Sequence, residues 1–419
     1  MVLRRIFVCT AVMLIVLAAP AHAAPAPDVA YVRNGQDCIG PADKSLDAPV
    51  RMELDQAHRF ATGKDVKVAV IDTGVNEHPR LKGRLEGGGD YVDRSDGRKD
   101  CDGHGTEVAG VLAATDIGVA PEATIMAIRQ SSDRYEFKGG NPPRKKAGTV
   151  QTLAQAIVHA AASGAAVINI SVTNCEKPHA LSDNDIALRD AIKYAVDAED
   201  AVIVTAAGNL GPTGCAEQND NLDPENVKVV ASPPRFADDV LSVASIGPEG
   251  AVSQFSVWGP WVSLAAPGEG IVTLDPAGAG LVDAVVDPES GKPQPIVGTS
   301  FASPYVAGVA ALVRERFPRL NAREVMARLK ATAQHPGNID GRDHKVGHGM
   351  VNPVAALTAV IPAEQPGAVP VRPAPMITVV NAPPAKDWEP ILWALGGSGA
   401  GFVLLLLTLF VMHTVNRRR

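Results

Sequence analysis

Between about residues 65 and 360 two kinds of hydrophobic pattern alternate along the chain. Residues 66–72, 123–129, 167–171, 201–207 and 240–246 form short runs that are apolar at successive positions. A strand of that kind has both faces buried, as in a sheet covered on either side. Residues 149–163, 182–199, 300–317 and 321–331 instead repeat apolar positions at helical spacing. Thr149 and Ser182 stand where helix caps are expected, and Asn321 with Glu324 has the spacing of a capping box. Strands alternating with helices imply right-handed crossovers, hence an α/β fold with a doubly wound, mostly parallel sheet and helices on both faces. Ligands of such sheets bind at the carboxyl ends of the strands.

The two ends of the chain follow other patterns. Residues 1–24 carry Arg4 and Arg5, an apolar core and Ala21-His22-Ala23 before Ala24-Pro25, which reads as a secretory signal peptide. Residues 25–55 lie ahead of the periodic core at 56–361, as an N-terminal extension expected to wrap it. Residues 362–390 are proline-rich with few large apolar side chains and read as an extended spacer. Residues 391–413 contain no Asp, Glu, Lys or Arg and are long enough to cross a bilayer. Arg417, Arg418 and Arg419 follow in a basic tail, 414–419, which puts the C-terminus in the cytoplasm and the core outside.

The net charge of −7 over 419 residues is modest, and no basic stripe with interleaved aromatics suggests nucleic acid. Cys9 falls in the signal segment, leaving Cys38, Cys101, Cys175 and Cys215 for an oxidising compartment. Four cysteines allow three connectivities. Cys175 and Cys215 each follow a predicted strand by a few residues, and those strands should be neighbours, so pairing these two is natural and leaves Cys38 with Cys101.

Three motifs carry chemistry: Val68-Ala69-Val70-Ile71-Asp72-Thr73-Gly74, Gly103-His104-Gly105-Thr106 and Gly298-Thr299-Ser300-Phe301-Ala302-Ser303-Pro304. They supply an acid, a base and a hydroxyl nucleophile in the order Asp, His, Ser. A serine hydroxyl needs a base to take its proton as it attacks, and the base needs an acceptor to hold its second ring N–H. Asp72 ends a predicted strand, while His104 and Ser300 open predicted helices. Pro304 is expected to be tolerated as a first-turn residue.

These motifs and their order resemble the subtilisin-like serine proteases, over roughly residues 55 to 360. The resemblance implies Asp72, His104 and Ser300 as the triad. It implies Asn209, in Ala206-Ala207-Gly208-Asn209, as a side-chain oxyanion donor, with Thr299 adding a further oxyanion contact. It places a peptide substrate as an extended strand beside Ser171, Val172 and Thr173, with no cofactor or metal in the chemistry. Thr173 stands where glycine is common in the family, which should narrow the cleft and favour selective over broad cleavage. Glu107 replaces the second His of the usual His-Gly-Thr-His-Val-Ala-Gly, about one helical turn past the base.

The membrane anchor behind a proline-rich stalk, the loop around Arg129-Gln130-Ser131-Ser132, the four mature cysteines and the terminal arginines together resemble the mycosins, membrane-anchored subtilisin-like proteases of type VII (ESX) secretion systems. That resemblance implies an extracytoplasmic catalytic domain, selected exported proteins as substrates, and components of a secretion membrane complex as partners. A second reading makes the chain a structural or capping subunit of that complex, with proteolysis secondary. The predicted surface segments 131–147 and 275–295 are candidate docking sites or cleft walls, and Gly397 with Gly401 is a candidate helix-packing pair in the anchor.

Overall fold

The computed structural model describes residues 31–42, 45–47, 52–137, 146–211, 214–220, 226–286, 292–337 and 340–364, together with 407–409, 411–413 and 417 near the C-terminus. The signal segment, most of the spacer and most of the expected membrane span fall outside these residues. The chain divides into two units, 1–359 and 360–419. In the second unit the described residues form a short turn of helix at Pro362–Glu364 and helical stretches at 407–409 and 411–413. Among the described residues no helix is long and apolar enough to cross a membrane.

The first unit is built on seven strands: β1 (Lys67–Asp72), β2 (Leu85–Asp90), β3 (Thr124–Arg129), β4 (Val167–Ile170), β5 (Val202–Ala206), β6 (Leu241–Ile246) and β7 (Val262–Pro267). Their order in the sheet is β7-β6-β5-β4-β1-β3-β2, and all pairings are parallel. The expected doubly wound sheet is therefore present, with two edge strands the pattern does not announce. Leu-Glu-Gly-Gly-Gly-Asp of β2 has too few side chains to show a period. Val-Ser-Leu-Ala-Ala-Pro of β7 mixes small and polar residues and ends in proline. Both occupy edges, where one partner suffices and a strand lacking a strong intrinsic signal is held by its neighbour.

After a short helix at Met52–Ala57, the helices of the core are α1 (His104–Ala113), α2 (Val150–Ala162), α3 (Asp183–Asp197), α4 (Thr299–Arg316), α5 (Ala322–Ala331) and α6 (Pro353–Thr358). Capping boxes start α2 at Thr149 with Thr152, α3 at Ser182 with Asp185, and α5 at Asn321 with Glu324, each satisfying two otherwise orphan N–H groups. Helix α4 is buried continuously from Thr299 to Val313. A helix apolar around most of its circumference is stable only in the interior, so the nucleophile motif opens a core helix.

Pro304 sits in the second turn of α4, not the first, so the expected reason for its tolerance is corrected. Its ring removes the N–H that would have bonded the carbonyl of Ser300. That carbonyl accepts the Ser171 hydroxyl at 3.0 Å instead. The break in the helix ladder thus becomes a tie between α4 and the end of β4.

The segment 131–147, expected as a loop, contains a strand at Ser132–Phe137 that pairs antiparallel with Tyr31–Arg33 and with Lys146–Ala147. The N-terminal extension continues across the core. Ile39 N donates to Cys101 O at 3.0 Å, Ala42 N to Asp275 Oδ2 at 2.9 Å and Leu46 N to Leu281 O at 2.9 Å. Disulfides join Cys38 to Cys101 and Cys175 to Cys215. In the second expected segment, 275–295, Leu281–Val282 pairs with Thr273–Leu274 just before it, and Ala284–Val286 with Pro293–Pro295.

Candidate active site

Strand order reverses around β1, so the carboxyl ends of β1, β4 and β5 face a common crevice. Asp72 is the last residue of β1, Ser171 directly follows β4, and Asn209 lies three residues past β5. Helices α1 and α4 point their N-termini at the same place and deliver His104 and Ser300. A cleft of about 970 Å³ is lined here by Asp72, His104, Ser171, Thr173, Asn209 and Ser300. Residues far apart in sequence meet because the crossover topology puts the connections that leave the carboxyl ends of the strands on one edge.

His104 Nδ1 lies 2.7 Å from Asp72 Oδ1. Asp72 is fully buried, and the same oxygen accepts the Thr73 N–H at 2.7 Å. Phe301, from α4, packs against the imidazole with ring centroids 5.5 Å apart. Burial disfavours the imidazolium, but the charge and hydrogen bond of Asp72, with Glu107 and Asp100 adding, outweigh it and lift His104 to about 9. Burial pushes the Glu107 carboxyl up to about 8, against the attraction of His104 and with Asp100, Asp72 and Asp275 adding to the rise. Glu107 is only 4% exposed, so the substitution noted in the motif places an ionisable group inside the core beneath the base.

The hydroxyl of Ser300 donates to the Ser171 carbonyl at 3.1 Å, while the Ser171 hydroxyl donates back to the Ser300 carbonyl. Asn169 Nδ2 donates to Ser171 Oγ at 2.9 Å, fixing that hydroxyl in turn. The Ser300 backbone N–H belongs to the first turn of α4, where N–H groups have no intrahelical acceptor and the helix dipole favours negative charge. Asn209 Oδ1 accepts from Thr299 N at 2.9 Å and from Thr299 Oγ1 at 3.0 Å. A backbone N–H can only donate, so this contact identifies the oxygen of the amide and leaves its NH2 directed elsewhere.

Ser171, Val172 and Thr173 line one wall of the cleft, Gly208 and Asn209 the other. Thr173 Oγ1 donates to Ala206 O at 3.0 Å, lashing the two walls together. Gly208 has φ +106°, and a Cβ there would lie 3.1 Å from Cys215 Sγ and 3.4 Å from Thr173 Cγ2. Glycine is therefore favoured by the backbone, a Cβ would also crowd Cys215 Sγ, and the Cys175–Cys215 bridge backs this wall.

The sequence reading passes over Asp100. It is 3% exposed and accepts four hydrogen bonds: Thr73 Oγ1 at 2.9 Å, Gly103 N at 2.7 Å, Thr106 N at 2.8 Å and Thr106 Oγ1 at 2.7 Å. It satisfies the first turn of α1 and ties that turn to the residue after Asp72. The preceding cap, Gly103, is left-handed at φ +86°, and a Cβ there would meet Pro276 and Ile39 at 2.9 and 3.0 Å. The signal for Asp100 was an acid four residues before the base at a helix start, which alone reads as an ordinary turn residue.

Residues 63–349 match the Subtilase family (Peptidase S8). Mycosin-4 of Mycobacterium tuberculosis is 42% identical over 87% of this chain and 80% of its own length. A crystal structure of MycP1 from Mycobacterium smegmatis superposes with a TM-score of 0.74 at 39% identity, covering 85% of this chain and 97% of that one. A chain in the structure of an intact ESX-5 inner membrane complex aligns with a TM-score of 0.73 at 37% identity, over 94% of this chain and 97% of its own. The order of the motifs, the geometry at the sheet edge and these likenesses agree, and the chain belongs to the subtilase family of serine proteases and, within it, to the mycosins.

Proposed function

We propose that the chain is a membrane-anchored serine endopeptidase that cleaves selected exported proteins and works with a type VII secretion complex. The observation that carries the chemistry is the 2.7 Å contact between His104 Nδ1 and buried Asp72, at an edge shared with Ser300 and Asn209. Asp72 holds Nδ1–H, which leaves Nε2 free to accept a proton. Rotation of Ser300 about χ1 moves its hydroxyl from the Ser171 carbonyl to Nε2. The oxygen attacks the scissile carbonyl as His104 takes the proton, and the negative oxygen is met by the Ser300 N–H and Asn209 Nδ2. His104 then returns the proton to the leaving amine, and water repeats the sequence on the acyl-enzyme. The bond between Thr173 and Ala206 supports a cleft that admits a limited set of side chains.

Anchoring through residues 391–413 rests on their uncharged apolar run and the arginines that follow. The test of the enzymatic reading is labelling of the full chain with a fluorophosphonate. Modification at Ser300 that is absent in Ser300→Ala supports it, as does a fall in peptide turnover of about a million-fold, the scale of other subtilisin triads. Undiminished hydrolysis by Ser300→Ala overturns the assignment.

The capping reading is supported by the likeness to a chain of the intact ESX-5 inner membrane complex over 94% of this chain. Secretion that is lost on deletion but retained with Ser300→Ala supports that reading, and loss in both cases refutes it.

A further inference from the structure

We infer that the Cys175–Cys215 disulfide is a positioning element for catalysis, holding in place the turn that presents the Asn209 amide to the reacting carbonyl. The inference rests on the triad reading above and adds to it a bridge that acts through Asn209. Cys175 lies on the strand Asn174–Glu176, which runs on directly from Ser171, Val172 and Thr173. That strand pairs antiparallel with Val230–Ser232, so sheet hydrogen bonds set its place independently of the bridge. Cys215 belongs to the opposite wall, is 1% exposed, and packs with Val229 and Val257. Both cysteines line the cleft.

Their contacts converge on one peptide unit, between Gly208 and Asn209. A Cβ at Gly208 would lie 3.1 Å from Cys215 Sγ and 3.5 Å from Cys175 Sγ, so the two sulfurs rest against the face that glycine leaves bare. The Cys215 N–H donates to Asn209 O at 2.7 Å, the Val257 N–H to Gly208 O at 3.0 Å, and the Leu210 N–H to Phe255 O at 2.7 Å. The turn is thus held between segment 255–257 and Cys215, and Cys215 is covalently tied to the substrate wall. The bond from Thr173 Oγ1 to Ala206 O joins the same two walls three residues before Asn209. A hydrogen bond between loops opens readily in water, whereas a disulfide limits the separation of its Cα atoms, here 5.1 Å. An oxyanion donor works because it is already in place when charge develops, so a turn free to drift weakens Asn209 in the transition state and leaves ground-state binding along the substrate wall intact.

The experiment measures kcat and KM on one peptide anilide with the full chain in detergent, at a temperature where thermal melts show every variant folded. Joint Cys175→Ser and Cys215→Ser should lower kcat about 10-fold, part of what an oxyanion donor contributes, with KM within about 2-fold. Affinity for a peptide boronic acid, which forms a tetrahedral adduct on Ser300, should fall by a similar factor. In the Asn209→Leu background the serine pair should cost less than about 2-fold, because no amide remains to position. A second measurement needs no substitution in the wall. In a chain carrying Cys38→Ser and Cys101→Ser, dithiothreitol reduces the remaining bridge: Cys175 and Cys215 take up two electrons and two protons as the reagent closes to its cyclic disulfide. The kcat should fall by the same factor on reduction and return on reoxidation. Unchanged kcat in the serine pair or in the reduced chain would overturn the inference, as would an equal loss with and without Asn209. A raised KM at constant kcat would also overturn it, by placing the effect on the substrate wall. Fluorophosphonate labelling of the parent chain separates the two claims. A parent that labels at Ser300 while kcat ignores the bridge keeps the triad and loses only the role given to the disulfide.

Discussion

Asp100→Asn tests whether the start of α1, and with it the base, is held by one buried carboxylate. Asp100 accepts two backbone N–H groups, Gly103 on Oδ1 and Thr106 on Oδ2, and the two threonine hydroxyls share those oxygens. An asparagine has only one acceptor oxygen. The hydroxyls of Thr73 and Thr106 can turn to accept from the new NH2, but neither backbone N–H can. One buried N–H is left facing a donor, at about 1–3 kcal/mol, and the remaining bonds lose their charge assistance. Against this, burial raises the Asp100 carboxyl above its usual range, and neutralising the group relieves part of that cost. The balance is a loss of about 2–4 kcal/mol. At roughly 2 °C per kcal/mol for a domain of this size, the melting temperature should fall about 4–8 °C. The freed turn also carries His104, so kcat/KM should drop about 10- to 100-fold, the scale of an ångström-level displacement of a catalytic group. Thermal melts by circular dichroism and peptide hydrolysis on the same preparation check both numbers. A substituted protein with parental melting and parental kcat/KM would show that the four bonds contribute nothing net, and the reasoning would fail.

Glu107→Gln should move the rising, acid-side limb of activity. His104 must be neutral to act as base, so kcat/KM rises as pH passes through its value near 9, and Glu107, ionising near 8, adds negative charge in that window that favours the imidazolium. Removing the charge should shift the rising limb to lower pH by up to about one unit in a kcat/KM–pH profile, and a limb that stays put or moves up contradicts the coupling. Thr173→Gly removes the hydroxyl bonded to Ala206 O and the methyl beside Gly208, so a peptide library should show a wider range of accepted side chains; an unchanged profile counts against Thr173 as a cleft wall. Joint replacement of Cys38 and Cys101 by serine opens a loop with a sequence separation of 63 and should cost about 2–4 kcal/mol, read as a lower melting temperature, and no change would show that the hydrogen bonds of the extension suffice without it.

The architecture and the chemical types of the site residues are legible in the chain alone. Runs such as 167–171 and 201–207 are apolar at successive positions because both faces of those strands are covered, and that pattern survives any tertiary detail. The helix starts at Thr149, Ser182 and Asn321 were legible for a similar reason, since a cap bonds within its own turn. Asp72, His104 and Ser300 could be picked out because each sits in a short motif at a strand end or helix start.

What depends on meetings between distant segments appears first in the fold. Strands β2 and β7 owe their conformation to a neighbour more than to their own side chains. Asp100 carries no signal of its role in the sequence, because Thr73 and Thr106 converge on it only in the fold. Pro304 reads as harmless in the sequence, and only the fold shows the carbonyl it leaves free, that of Ser300, bonded to Ser171 just past β4, 129 residues earlier. That Thr299 N and Oγ1 both meet Asn209 Oδ1 is likewise invisible in the motif, because it depends on where the fold places the turn after β5.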